Sequence, residues 1–198
     1  MIFQKHWVES LNKMVVGSVY ESLSLEETIM RSSQIISDRV VYNTASQIWN
    51  SMLCFNSLTR KQSEMGEIIA GNINASFGSY KKFVDEIHTQ ANTLFGGGFL
   101  WITRDKKLRV IVTANAESPI YSFKPAKGST AADFVPAQLP KERQVILGIN
   151  LWGYSYILDH ELDRTKYING VLDRIDWQIV YSRFKALEKV DDSNYLEK

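Results

Sequence analysis

Apolar positions in the first half of the chain recur at spacings of three and four. Phe3, Trp7, Leu11, Met14 and Val15 share one face, which predicts a helix over residues 1–17, closed by Gly17. No capping residue precedes Phe3, so the chain is expected to begin inside that helix. Ser24-Leu25-Glu26-Glu27 is a capping box, in which the Ser24 hydroxyl accepts the Glu27 N–H and the Glu27 carboxylate reaches back. It predicts a short helix through about Ser33. Val41, Ala45, Ile48, Trp49, Met52 and Phe55 mark a long helix over residues 39–58. A short helix is expected around 62–70. Phe77, Tyr80, Val84, Ile87, Ala91 and Leu94 then outline another, stopped at Gly96-Gly97-Gly98.

The periodicity changes at the glycines. Phe99 to Thr103 and Leu108 to Thr113 read as strands joined by a turn at residues 104–107, and Gln144 to Asn150 as a third strand. Residues 121–143 hold Pro125, Pro136 and Pro140 with Gly128 and read as an inserted loop. Helical patterns return over residues 165–172 and 177–187, before a polar tail, 188–198. The expected fold is α+β. An N-terminal helical hairpin region, 1–94, precedes an α+β region, 95–187, built on a three-stranded antiparallel sheet with flanking helices.

Composition narrows the functional classes without naming one. A formal net charge of +1 gives the whole molecule no long-range attraction for nucleic acid. Cys54 is the single cysteine, which excludes an internal disulfide and a cysteine zinc site. No run approaches the ~18 apolar residues of a membrane span, so no membrane association is expected. The glycine triplet leads from a helix into a strand, the reverse of a phosphate loop, and is expected to stop a helix and allow close backbone packing. His6 and His88 lie beside apolar helical faces and His160 lies between Asp159 and Glu161. They are expected at core edges rather than on a metal. Arg104, Lys106, Lys107 and Arg109 sit at the strand turn. A solvated turn explains them most simply; the alternative is contact with RNA phosphates.

Several segments are similar to those of the iron/manganese superoxide dismutases. Trp7-Val8-Glu9-Ser10-Leu11-Asn12 resembles that family's tyrosine-valine-x-x-leucine-asparagine stretch. Asn43 to Ser51 is similar to its asparagine-x-alanine-x-glutamine-x-tryptophan-asparagine-histidine motif. Phe95 to Trp101 resembles phenylalanine-glycine-serine-glycine-tryptophan-x-tryptophan, and Thr113-Ala114-Asn115 matches threonine-alanine-asparagine. Asn150-Leu151-Trp152-Gly153-Tyr154 resembles the signature aspartate-x-tryptophan-glutamate-histidine. Asp176-Trp177 is similar to the asparagine-tryptophan that opens the last helix. The likeness runs from Met1 to about Phe184.

The resemblance implies a metal held by three histidines and an aspartate. It places Ser51 at the second histidine, Asn150 at the aspartate and Tyr154 at the third histidine, with the first falling just before Met1. Trp7 takes the place of the active-site tyrosine and Phe3 that of the gateway histidine. Gln47 resembles an outer-sphere glutamine of the iron enzymes and is expected in a buried hydrogen bond. On this reading no metal, cofactor or catalytic residue is expected, and Trp7, Phe3 and Tyr154 are expected to fill the former cavity. The protein is then expected not to be an enzyme but a structural, mitochondrial component of the mitochondrial ribosomal small subunit. Its expected partners are mitochondrial ribosomal proteins, chiefly a second superoxide dismutase-like chain docked on Phe3, Gly153, Tyr154 and Ile157, with peripheral rRNA contact. Two alternatives stand beside this reading: a pseudoenzyme that pairs with an active dismutase, and a dismutase with a relocated metal site.

Overall fold

Eight α-helices and five β-strands follow one another in a computed structural model, which describes residues 2–61, 63–125, 134–138 and 144–194. Helices α1 (Ile2–Val15), α2 (Leu25–Ser32), α3 (Arg39–Phe55), α4 (Glu67–Phe77) and α5 (Tyr80–Thr93) come first. Strands β1 (Gly98–Arg104), β2 (Leu108–Ala114), β3 (Tyr121–Pro125), β4 (Phe134–Gln138) and β5 (Gln144–Asn150) follow. Helices α6 (Ile157–His160), α7 (Arg164–Leu172) and α8 (Trp177–Asn194) close the chain. The order is the α+β order expected from periodicity.

The chain divides into two compact units. The first comprises Met1–Met52 and Ala116–Pro140. Its core gathers Leu11, Ile29, Tyr42, Ala45 and Ile48, with Trp7, Val15, Leu25, Val41 and Trp49 packed around them. The expected spacing is the spacing of the buried face for Trp7, Leu11, Val15, Val41, Ala45, Ile48 and Trp49, whereas Met52 and Phe55, expected on the same face of α3, are exposed. Gly17 ends the first helix in the left-handed region, at φ 69°, which costs glycine no steric penalty. The capping box forms as expected: Ser24 Oγ accepts the Glu27 N–H at 3.2 Å and the Glu27 carboxylate accepts the Ser24 N–H at 2.8 Å. Those bonds to the ionised form hold the Glu27 carboxyl below its ordinary range. Side chains of α3 tie down the chain after β2. The Ser118 N–H donates to the Tyr42 hydroxyl, and Asn50 Nδ2 donates to the carbonyls of Ala116 and Glu117.

The second unit comprises Leu53–Asn115 and Lys141–Lys198 and contains the three-stranded sheet, ordered β2-β1-β5 and antiparallel throughout. Six residues of β1 in succession, from Gly98 to Thr103, are buried. A central strand covered on both faces reads as a continuous apolar run rather than an alternation. Helices α4, α5, α7 and α8 supply Ile69, Ile73, Phe83, Ile87, Ile168, Val180 and Phe184 to its core. Gly148 on β5 is fixed by packing: a Cβ there would lie 2.5 Å from the Trp101 ring and 2.8 Å from Cys54 Sγ. Burial pushes the Cys54 thiol far above its ordinary range.

Four expectations need correction. The helix expected over residues 62–70 lies at Glu67–Phe77, between Gly66 at its N-cap and a left-handed Gly78, φ 88°, at its C-cap. Phe77 therefore ends α4, and α5 starts anew where Ser79 Oγ accepts the Lys82 N–H. The expected loop 121–143 contains the β3–β4 pair. Pro136 is compatible with it because a two-stranded ladder has only edge strands, where a missing N–H faces no second neighbour. Helix α8 continues to Asn194, into the segment expected as a polar tail. The rest of that loop, 126–133 and 139–143, lies outside the described residues, as does 195–198.

Candidate functional site

The end of β5 delivers the segment on which the resemblance turns. Asn150 is buried at the last position of the strand, opposite Phe99 of β1. Its Oδ1 accepts the Trp152 N–H at 3.0 Å and its Nδ2 donates to the Tyr154 hydroxyl at 3.4 Å. The carboxamide thus folds the chain back on itself as an Asx turn. Trp152 and Tyr154 stack at 5.9 Å with an interplanar angle of 18°. Gly97 makes room for the indole, since a Cβ there would lie 2.6 Å from it. Gly98 is equally constrained, because a Cβ would sit 2.2 Å from the Thr113 carbonyl oxygen. Close packing is therefore the role of Gly97 and Gly98, as expected, while Gly96, with open space where a Cβ would lie and φ 87°, supplies the left-handed turn after α5.

Aromatic contacts continue beyond the turn. Tyr156 stacks on Tyr167 at 5.2 Å, and His160 tilts against the same ring at 6.0 Å. Burial pushes the Tyr167 phenol well above its ordinary range. Arg164, at the start of α7, donates to the carbonyls of Ala91, Leu94 and Gly96, and its guanidinium lies 5.9 Å from the Tyr156 ring centroid. One cation thereby ties together carbonyls in the last turn of α5 and just beyond it. Residue-type spacing gave no sign of this clamp.

The other expected positions lie on α3 and α1, in the first unit. Ser51 and Gln47 are buried on α3. Trp7 is partly buried against the Leu11–Ile48 core and meets His6 edge-on at 5.5 Å. The side chain of Phe3 lies outside those described. Tyr154 stays 40% exposed, which corrects the expectation that it is packed away as filler. Of the four turn cations, Arg104 is not free for RNA: it donates to the Phe184 carbonyl at 2.9 Å and lies 3.6 Å above the Phe184 ring. Arg109 pairs with Asp105 at 3.2 Å. Lys106 and Lys107 are exposed.

The family model for the C-terminal domain of iron/manganese superoxide dismutases matches residues 65–183. That span is more than half of the chain. The protein belongs to the iron/manganese superoxide dismutase family. A superoxide dismutase [Fe] from Leptolyngbya boryana is 34% identical over 184 residues, covering 91% of this chain and 82% of that protein. A superoxide dismutase [Fe] from Legionella pneumophila is 29% identical over 182 residues, covering 90% and 82%. A superoxide dismutase [Mn/Fe] from Porphyromonas gingivalis is 27% identical over 187 residues, covering 91% and 83%.

These relatives overturn the functional part of the sequence reading. They are named for an enzyme activity, and the likeness extends over nearly the whole chain. The expectation of a non-enzymatic structural protein, and the terms pseudoenzyme, mitochondrial and ribosomal attached to it, are therefore corrected. The family implies a bound iron or manganese, and the donor set can be tested for it. Such ions prefer imidazole nitrogen and carboxylate oxygen. Ser51 offers a neutral hydroxyl, Tyr154 a phenol, and Asn150 a carboxamide whose oxygen already accepts the Trp152 N–H. Among the described residues no group of three or more His, Cys, Asp or Glu is placed to hold a metal. His88 Nε2 is hydrogen-bonded to Asn169 Oδ1 at 2.9 Å. These side chains do not fit the metal, and no chemical step is derived through it. Nor is any helix of the described residues long and apolar enough to cross a membrane.

Proposed function

We propose that this chain serves superoxide dismutation, the activity for which its relatives are named. One observation carries the reading: 34% identity to a superoxide dismutase [Fe] across 91% of the chain. The finer part of the proposal is that Ser51, Asn150 and Tyr154 are not metal donors in this protein. The test is elemental analysis of the purified protein alongside a superoxide-removal assay. Near one equivalent of iron or manganese with catalytic removal of superoxide supports the function. Absence of both overturns it. The finer part is tested separately by Asn150→Ala and Tyr154→Phe, which should leave metal content unchanged; loss of metal in either variant refutes it.

The partner reading is a second superoxide dismutase-like chain on the face that carries Gly153, Tyr154 and Ile157. It is supported by the apolar surface there: Leu158 is 93% exposed, Leu162 84% and Ile157 47%. Phe95 is also fully exposed, and Arg164, two residues after Leu162, bonds to the carbonyls on either side of it. Exposed large apolar side chains clustered along one segment are a mark of contact sites. Light scattering of the purified chain, alone and mixed with a dismutase, tests the reading. A strictly monomeric chain under both conditions removes it.

A further inference from the structure

Two segments far apart in the sequence are held together just before α8. Leu58 and Ile175 form an isolated antiparallel bridge. The Thr59 N–H donates to the Arg174 carbonyl at 2.9 Å, and the Asp176 N–H donates to the Ser57 carbonyl at 2.8 Å. Arg174 Nη1 in turn donates to the Arg60 carbonyl at 3.1 Å. Beside this junction lies an open pocket of about 460 Å³, lined by Leu58, Thr59, Arg60 and Arg174.

The ion pairs of the described residues involve neither Arg60 nor Arg174. Of the acids nearest in sequence, Glu64 and Asp173 are exposed and Asp176 is held by backbone. Asp176 Oδ1 accepts the N–H groups of Gln178 and Ile179 at the start of α8, and Asp173 lies near enough to Tyr80 to raise its phenol after burial has done so. Exposed arginines are commonly just solvated, but Arg174 is tethered. One nitrogen is fixed on a backbone carbonyl, so part of the ordering entropy of a long side chain is already spent. Its remaining N–H donors are fixed in a planar fork. Thr59 Oγ1 accepts the Lys61 N–H at 3.2 Å and keeps its own proton to donate.

We propose that this pocket binds a small phosphate-bearing anion, with Arg60 and Arg174 on the phosphate oxygens and Thr59 as a further donor. Guanidinium forks match phosphate geometry with paired, charge-assisted hydrogen bonds. The volume falls within the roughly 300–1,000 Å³ of small-molecule sites. A lone phosphate underfills it, so the class is a diphosphate or a phosphate on a compact organic body that rests on Leu58. The proposal is independent of the metal and of superoxide chemistry.

The test is calorimetric titration of the full chain at low salt with inorganic pyrophosphate and with adenosine monophosphate, which separates a bare diphosphate from a phosphate on an organic body. Arg60→Gln leaves intact the backbone carbonyl that Arg174 uses, and unfolding curves confirm that the variant is folded. Saturable binding of either anion, weakened about tenfold or more in Arg60→Gln, lost in Arg60→Gln with Arg174→Gln, and unchanged in Lys107→Gln, supports the site. The proposal is overturned if neither anion binds saturably, or if Lys107→Gln weakens binding as much as Arg60→Gln.

Discussion

Strand β5 and the segment that follows it differ sharply within twenty residues. From Val145 to Leu151 every residue is buried, Gly148 has no room for a methyl group, and the Arg183 guanidinium crosses behind the strand to the Ile146 carbonyl. From Gly153 to Leu162 the chain turns through short helical pieces and carries Leu158 and Leu162 almost fully in solvent. The strand is the more apolar stretch, yet leucines occur in both and only those of the strand are buried. Burial is decided by whether a pleated partner and a covering helix are present on both faces, not by hydrophobicity of the residue. The strand is an interior and the segment after it is a surface that can meet another chain.

The largest test of this contrast is Trp101→Ala. The indole is fully buried, stacks on Phe99 at 5.3 Å and donates to Thr113 Oγ1 at 3.0 Å. Truncation should cost about 3–5 kcal/mol in urea unfolding. Gly148→Ala should cost about 1–3 kcal/mol, because both neighbours of the new methyl are themselves enclosed; an unchanged midpoint would show that the sheet is looser than its packing implies. Arg164→Met removes the donor shared by three carbonyls at the end of α5 and should cost about 1–3 kcal/mol. The same variant should loosen the backbone around Phe95, seen as faster amide exchange there. Leu158→Asp sits at the other extreme. Stability should move by no more than about 0.5 kcal/mol, while any self-association seen by light scattering should fall. A large loss of stability would place Leu158 in an interior and erase the contrast.

Much of the fold was legible because burial on one side of an element leaves a period in the sequence. The faces of α1 and α3, the Ser24 capping box and the three strands of the sheet were read in this way. The break between α4 and α5 was missed because Phe77 and Tyr80 continue an apolar spacing across Gly78 and Ser79. Nothing in the spacing shows that the glycine is left-handed, and that conformation ends the helix. The β3–β4 pair was hidden by prolines that an isolated ladder tolerates.

The functional reading divides along another line. Residue types at the signature positions were plain from the sequence, and they do not match a metal's donors. The step from missing donors to a non-enzymatic structural role was the error, since the relatives across most of the chain are named as dismutases.

By itself, the sequence determined the α+β order, the main helices, the antiparallel sheet and the chemistry offered at Asn150 and Tyr154. These depend on local periodicity and on residue identity, both of which are written in the order of the chain. Only the tertiary structure decided that Gly148 seats Trp101 against Cys54, that Arg164 closes the end of α5, and that Arg60 and Arg174 share a pocket. Each joins residues separated by tens of positions. Such a meeting leaves no period behind, because its specificity lies in distances and directions that arise only once the elements have packed.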